Sequence, residues 1–239
     1  MIVLDQMRRL HLVGALIGAA AVAGVVLAGP LRAALPGAEQ IVFEVFRNGA
    51  PLGHHKVVFR REAGDLHVEI DIRLEVKLFF IAVFQYRHRN HEVWRDGRLV
   101  AIDTETDDDG EAFWLSGRAT EDGLAIEGSS GSFLAPADVM PTSYWNPQTV
   151  ERARLLDTQR GRLIEVAIAQ ADIEEIEVAG RPVDARRYKV TGDLTLDLWY
   201  TASGEWAKTS FQARGAEVVY ARQGEPAALA EIEASANDR

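Results

Sequence analysis

The residues from His67 to Leu78 alternate without a break. Val68, Ile70, Ile72, Leu74, Val76 and Leu78 are apolar, and the positions between them are charged or polar. A helix would scatter those six apolar side chains around its surface, whereas a strand puts all six on one face. Twelve residues at about 3.3 Å each make a strand roughly 40 Å long. That is about twice the common length, and strands of this kind belong to strongly curved sheets, half-barrels or barrels.

The remainder of the chain repeats the period of two. Strand-like segments run over 41–47, 54–61, 85–94, 99–106, 111–120 and 124–127, then over 163–169, 173–178, 183–190, 194–200, 206–213 and 217–222. Turn residues separate them, including Asp96-Gly97 and Asp109-Gly110, the favoured chemistry for a tight hairpin. The expected fold is therefore all-β: a long curved antiparallel meander, a half-barrel or open barrel of about eleven strands, with sequence neighbours as sheet neighbours. One stretch breaks the pattern, near 135–160, where Pro136, Pro141 and Pro147 fall. It predicts an inserted lid carrying a short helix over 148–153, with Pro147 at its first turn.

Domain organisation is read from the ends. Arg8 and Arg9 precede an uncharged apolar run from Leu12 to Ala28, and Pro30 ends it. This is the pattern of an export signal over residues 1–33, with Leu31-Arg32-Ala33 as a weak small-residue cleavage site; uncleaved, the run would serve as a membrane anchor. Arginines before the run place the rest of the chain outside the cytoplasm, so a periplasmic location is expected, soluble or tethered to the inner membrane. Residues 34–222 form one β domain, and the alanine- and glutamate-rich residues 223–239 have little to bury and read as a flexible tail.

Chemistry is harder to find. A formal net charge of −10 argues against capture of nucleic acid, and the lack of cysteine removes disulfides, thiolate metal sites and cysteine nucleophiles. His54 and His55 point to opposite faces of one strand, and His88 and His91 also fall on opposite phases, so these pairs do not converge on a metal. Surface placement is expected for them. Glu105, Asp107, Asp109 and Gly110 imitate the start of a calcium loop, but position 116, where the closing glutamate would stand, is serine. No nucleophile elbow, phosphate loop or dinucleotide fingerprint is present. The expectation is no catalytic residue, no metal and no cofactor, which points away from an enzyme.

Two features suggest binding. The first is Leu78-Phe79-Phe80-Ile81-Ala82-Val83-Phe84, apolar on both strand faces: core at a sheet corner, or a surface for ligand, membrane or partner. The second is Tyr144-Trp145, two large aromatics between prolines in an otherwise polar connection, expected to fold back over the open face of the sheet. Phe79, Phe80, Phe84, Tyr144 and Trp145 are thus the candidate ligand-binding residues.

Four segments carry a resemblance: Phe43-Glu44-Val45-Phe46-Arg47-Asn48-Gly49 with Gly53; Glu92-Val93-Trp94-Arg95-Asp96-Gly97-Arg98-Leu99; Pro141-Thr142-Ser143-Tyr144-Trp145-Asn146; and Leu198-Trp199-Tyr200 before Gly204. Over residues 41–222 the chain resembles an uncharacterised proteobacterial exported family, a domain of unknown function. The pattern is also similar to the curved sheets of periplasmic lipoprotein and lipid carriers, a likeness of fold alone. The resulting expectation is a periplasmic binding or carrier protein for a hydrophobic ligand or lipid. The alternative is an envelope structural or interaction protein that meets a protein partner, with the membrane touched only through residues 12–28.

Overall fold

A computed structural model of the chain describes residues 39–224, so the export segment 1–33 and all but the first two residues of the expected tail lie outside the described residues. Fifteen strands form one sheet. The first eight succeed one another as a meander: β1 Gln40–Arg47, β2 Ala50–Glu62, β3 Asp65–Leu78, β4 Ile81–Arg95, β5 Arg98–Asp108, β6 Glu111–Ala119, β7 Leu124–Gly128 and β8 Gly131–Ala135. The others are β9 Met140–Pro141, β10 Arg154–Asp157, β11 Arg162–Val178, β12 Arg181–Gly192, β13 Leu196–Thr201, β14 Trp206–Ala213 and β15 Ala216–Gln223. All neighbours are antiparallel except β9 and β10.

The spatial order runs from β8 back to β1, crosses to β15, and continues down to β9. The first and last strands therefore pair at the centre of the sheet, with Val42 opposite Gln223 and Arg47 opposite Val218. The two edges, β8 and β9, are consecutive in the chain across residues 136–139. The sheet is open but strongly curled, because inward side chains from both arms meet in one hydrophobic core.

The class is as expected and the strand count is larger. The chain turns after Gly128 into β8, an added strand that opens in the glycine- and serine-rich run 128–132, where no alternation shows. The pieces β9 and β10 have two and four residues, too short to show any period. In the other direction, 163–169 and 173–178 are one strand, β11, with a register irregularity between Gln170 and Ile173. The expected helix is a 3-10 turn, Pro147–Glu151, whose N-cap Asn146 accepts a hydrogen bond from the Gln148 amide.

Most tight turns use one chemistry. Asn48-Gly49, Ala63-Gly64, Asp96-Gly97, Asp109-Gly110, Ala179-Gly180 and Arg214-Gly215 all have positive φ at both residues, the twist that suits antiparallel strands. The β3–β4 turn departs from this: Phe79 takes φ +58°, and the next residue is Phe80 rather than glycine. Glycine has a second use at position 53, where a Cβ would lie 1.9 Å from the Arg73 carbonyl oxygen.

Alternation places Val68, Ile70 and Ile72 of β3 in the core. Its partner β4 is unusual, since Tyr86, His88, Asn90, Glu92 and Trp94 all face inward and are buried. Thr104 and Thr106 of β5 continue this polar layer. The segment 140–158 covers it. The Trp145 indole donates to Glu92 Oε2 at 2.9 Å, Thr104 Oγ1 donates to the Thr158 carbonyl at 2.8 Å, and Thr158 Oγ1 lies 3.4 Å from His88 Nε2. On the other arm, Tyr200 donates its hydroxyl to the Tyr144 carbonyl at 2.7 Å, and the Tyr144 ring packs edge-on against Trp206. Residues 144 and 145 are therefore a plug that ties the two arms together through the interior.

Candidate functional site

Three places among the described residues hold unusual chemistry. The first is Glu92, which is fully buried. Its oxygens accept from Asn90 Nδ2 and Trp94 Nε1, both at 2.8 Å, and from Trp145 Nε1. Burial raises the pKa of this carboxyl, opposed by the indole donors of Trp145 and Trp94 and by the Asn90 and Ser143 side chains. Every partner is a donor, an arrangement that suits a carboxylate acting only as acceptor. A group so sealed anchors the plug and meets no substrate. Replacing Glu92 with glutamine would turn an amide NH2 toward these donors. We expect a loss of about 1–3 kcal/mol, read as a lower denaturant midpoint at unchanged slope.

The second place is a pair of buried histidines. His55 packs among Phe43, Trp206 and Tyr220, with ring centroids 6.0, 5.2 and 5.7 Å away, and neither ring nitrogen has a partner. His88 places Nδ1 2.8 Å from Thr106 Oγ1. Burial lowers both pKa values, to about 3 for His55 and about 4 for His88. The expected surface placement is thus corrected for these two: each falls on the inward phase of its strand, where the alternation demands burial whatever the residue type. His67 and His91 stack across β3 and β4 with Nδ1 3.1 Å from Nε2. No group of three metal-ligating side chains converges among the described residues. The carboxylates of the calcium-like run serve the hairpin instead, Asp107 accepting from the Gly110 amide and Asp109 from the Gln85 amide.

The third place is a cavity of about 360 Å³ at the end of the sheet that carries the β1–β2, β3–β4 and β14–β15 turns. Leu52, Leu74, Val76, Phe84, Phe211 and Val218 supply apolar walls. They converge because these strand ends face inward where the plug no longer reaches. Polar groups are few. Arg47 and Arg214 lie on the rim, with the Arg214 guanidinium 4.6 Å above the Phe84 ring and 3.7 Å from Asp108. Tyr86 and Tyr220 also line the cavity, and the buried Tyr86 hydroxyl has no hydrogen-bond partner. Burial raises the pKa of both phenols, for Tyr86 with the further help of Tyr220 and Asp108, so both remain donors at neutral pH. A larger open groove of about 840 Å³ lies over β2–β6, but its charged side chains largely neutralise one another, as in Arg73–Asp71 at 2.9 Å and Arg60–Glu69 at 2.5 Å.

Of the five candidate residues, Phe84 lines the cavity. Phe79 and Phe80 stand outside it at the tip of the β3–β4 hairpin, 89% and 99% exposed, where core at a sheet corner was one expectation. Tyr144 and Trp145 belong to the plug: Trp145 is buried between Phe59 and Trp94, with ring centroids 5.5 and 5.2 Å away. The anticipated lid therefore lies within the interior. The residues that sequence reasoning missed, Tyr86, Tyr220, Phe211 and Arg214, come from strand ends remote in the chain, and only the β1–β15 pairing brings them together.

A family model described as a domain of unknown function, DUF6134, matches residues 43–223. No curated protein matches the chain in sequence. Among solved structures, a β-barrel-like protein of another domain of unknown function, DUF1849, from Brucella abortus is similar at 9% identity and a TM-score of 0.54, covering 77% of this chain and 94% of that one. At that identity the likeness concerns the fold alone.

Proposed function

From the premise that this chain belongs to the DUF6134 family of domains of unknown function, we propose that it is an exported binding or carrier protein for a small hydrophobic ligand held in the end cavity. The observation that carries this reading is the cavity of about 360 Å³, apolar on most sides, with one buried and unpartnered hydroxyl, that of Tyr86. Binding sites are commonly mostly apolar concavities with a few placed polar groups. A buried donor left without an acceptor costs about 1–3 kcal/mol, a cost that a ligand oxygen would offset. At about 360 Å³ the space lies at the small end of ligand pockets, which suits a medium-length acyl chain. Arg47 and Arg214 at the rim favour an acidic or strongly polar head group. Export is supported by Arg8 and Arg9 ahead of the apolar run 12–28, and N-terminal sequencing of protein recovered from the cell envelope would test it.

Dodecanoate and dodecanol, measured by displacement of an environment-sensitive dye, are the direct probes. We expect both to bind the wild type and neither to bind Ala213→Trp, which fills the cavity. Tyr86→Phe separates a ligand-binding hydroxyl from a structural one. The unliganded variant should be more stable by about 1 kcal/mol, because a buried unpaired hydroxyl is gone, while affinity for the oxygen-bearing probes falls about five- to tenfold. A variant less stable than the wild type would mean that the hydroxyl serves the fold. Failure of the wild type to bind either probe would sink the carrier reading.

A further inference from the structure

We propose that the Phe79–Phe80 hairpin tip inserts into a zwitterionic lipid bilayer and sets the mouth of the cavity against the membrane surface. Three observations lead there. The two rings are 89% and 99% exposed, and Val83 beside them is 52% exposed, so among the described residues none covers the apolar surface of the tip. The tip also abandons the turn chemistry of its neighbours. Six other turns use glycine at the second position, whereas here Phe79 itself takes φ +58°, a region that bulky residues occupy at a cost. Aromatics are retained where asparagine and glycine would form the same hairpin more readily. Finally, the strands on either side of the tip, through Val76 and Phe84, form part of the cavity wall, so whatever the tip touches lies next to the opening.

Magnitudes select the occupant. Two phenylalanines bury about 300–500 Å² between them, short of the roughly 800 Å² that each partner contributes to a stable protein interface. A bilayer demands no matching shape, and aromatic side chains partition readily into its interfacial zone. Charge does not favour an anionic surface. Arg47 and Arg214 lie at this end, but so does the β5–β6 turn with Asp107, Asp108 and Asp109, and the chain carries −10 overall. Insertion should therefore be driven by apolar surface alone. Entry of a ligand from the lipid rests on the proposed function of the cavity; docking of the tip does not.

The chain has no cysteine, so Phe80→Cys gives a single labelling site for a nitrobenzoxadiazole probe in the full-length protein. Asp122→Cys, in the turn at the opposite end of β6, is the control. The probe reads its own surroundings, so attachment of the chain through residues 12–28 does not mimic insertion of the tip. We expect phosphatidylcholine vesicles to shift emission to the blue and raise it at least twofold at position 80, with no change at 122. Added anionic lipid should bring no strengthening. The same response should persist in Phe80→Cys combined with Ala213→Trp, which separates docking from cavity binding. An unresponsive position 80, an equal response at both positions, or dependence on anionic lipid would overturn the proposal. So would a blue shift that appears with protein concentration in the absence of vesicles, which would make the tip a self-association contact.

Discussion

Trp145→Ala is expected to lower the stability of the domain by about 3–5 kcal/mol, the usual cost of removing a buried tryptophan. The ring fills the space between Phe59 and Trp94, and its indole nitrogen donates to Glu92 alongside Trp94 and Asn90. Truncation therefore leaves a void and also strips a donor from a carboxylate with no water-facing surface. Trp145→Phe narrows the comparison. It keeps one aromatic ring, so the void is smaller while the N–H is still lost, and we expect about 2–3 kcal/mol, less than for alanine. Urea unfolding monitored by far-ultraviolet circular dichroism would check both values. Equal midpoints for wild type and alanine variant would show that residues 140–158 are not what holds the arms of the sheet together.

Acid should destabilise the fold well above the range where most carboxylates titrate. His55 and His88 are neutral in the folded protein, with pKa values pressed to about 3 and about 4 against a usual 6.5. The unfolded chain binds more protons than the folded one whenever the pH lies between those limits. Stability is thus full above pH 6.5 and is lost as the pH falls toward 4 and below. At pH 5 each histidine accounts for about 2 kcal/mol of loss. Glu92 works in the opposite sense. Its raised pKa makes the folded protein the better proton binder just above the ordinary carboxyl value, so its contribution grows as the pH falls toward 4.5 and shrinks as the pH rises. Below the ordinary carboxyl value the Glu92 contribution no longer changes, so the further fall in stability there belongs to the histidines. His55→Phe isolates half of the histidine effect, because the ring sits among aromatics and makes no hydrogen bond that phenylalanine would forfeit. Near pH 8 the variant should match or slightly exceed the wild type, and at pH 5 it should be more stable by about 2 kcal/mol. Stability curves that run parallel from pH 8 to 5 would refute the assignment.

How much of the fold was legible in sequence depends on which face of a strand carried the apolar residues. In β3 the inward positions Val68, Ile70 and Ile72 are apolar and the outward ones charged, so both strand and face were readable. In β4 the inward set is Tyr86, His88, Asn90, Glu92 and Trp94, and an interior written in polar letters looks like a surface. The missing clue lay at least fifty residues later: Ser143, Trp145 and Thr158 offer the complementary groups, but no local period connects them to β4. Three of the four segments that carry the resemblance, around Glu92, Tyr144-Trp145 and Tyr200, meet at the plug, so they marked the internal tie of the fold rather than its cavity. The cavity was out of reach for a different reason. It draws on ends of β1 to β4 and of β14 and β15, with Gln159 from the β10–β11 turn and Arg214 from the β14–β15 turn, and no local period links residues so far apart in the chain.

The seam between β1 and β15 also dictates an order of events. Residues 42 and 223 face each other across it, while nearly every other strand pairs with a neighbour only a short turn away. Each arm can zip up from local hairpins as soon as its residues are available, but the junction between arms closes only when the last strand arrives. Until then β1, already paired with β2, waits with its other edge open in the middle of the future sheet, and with Ile41, Phe43 and Val45 not yet covered by the second arm. That waiting strand is the stretch of the folding reaction most open to mispairing with other copies.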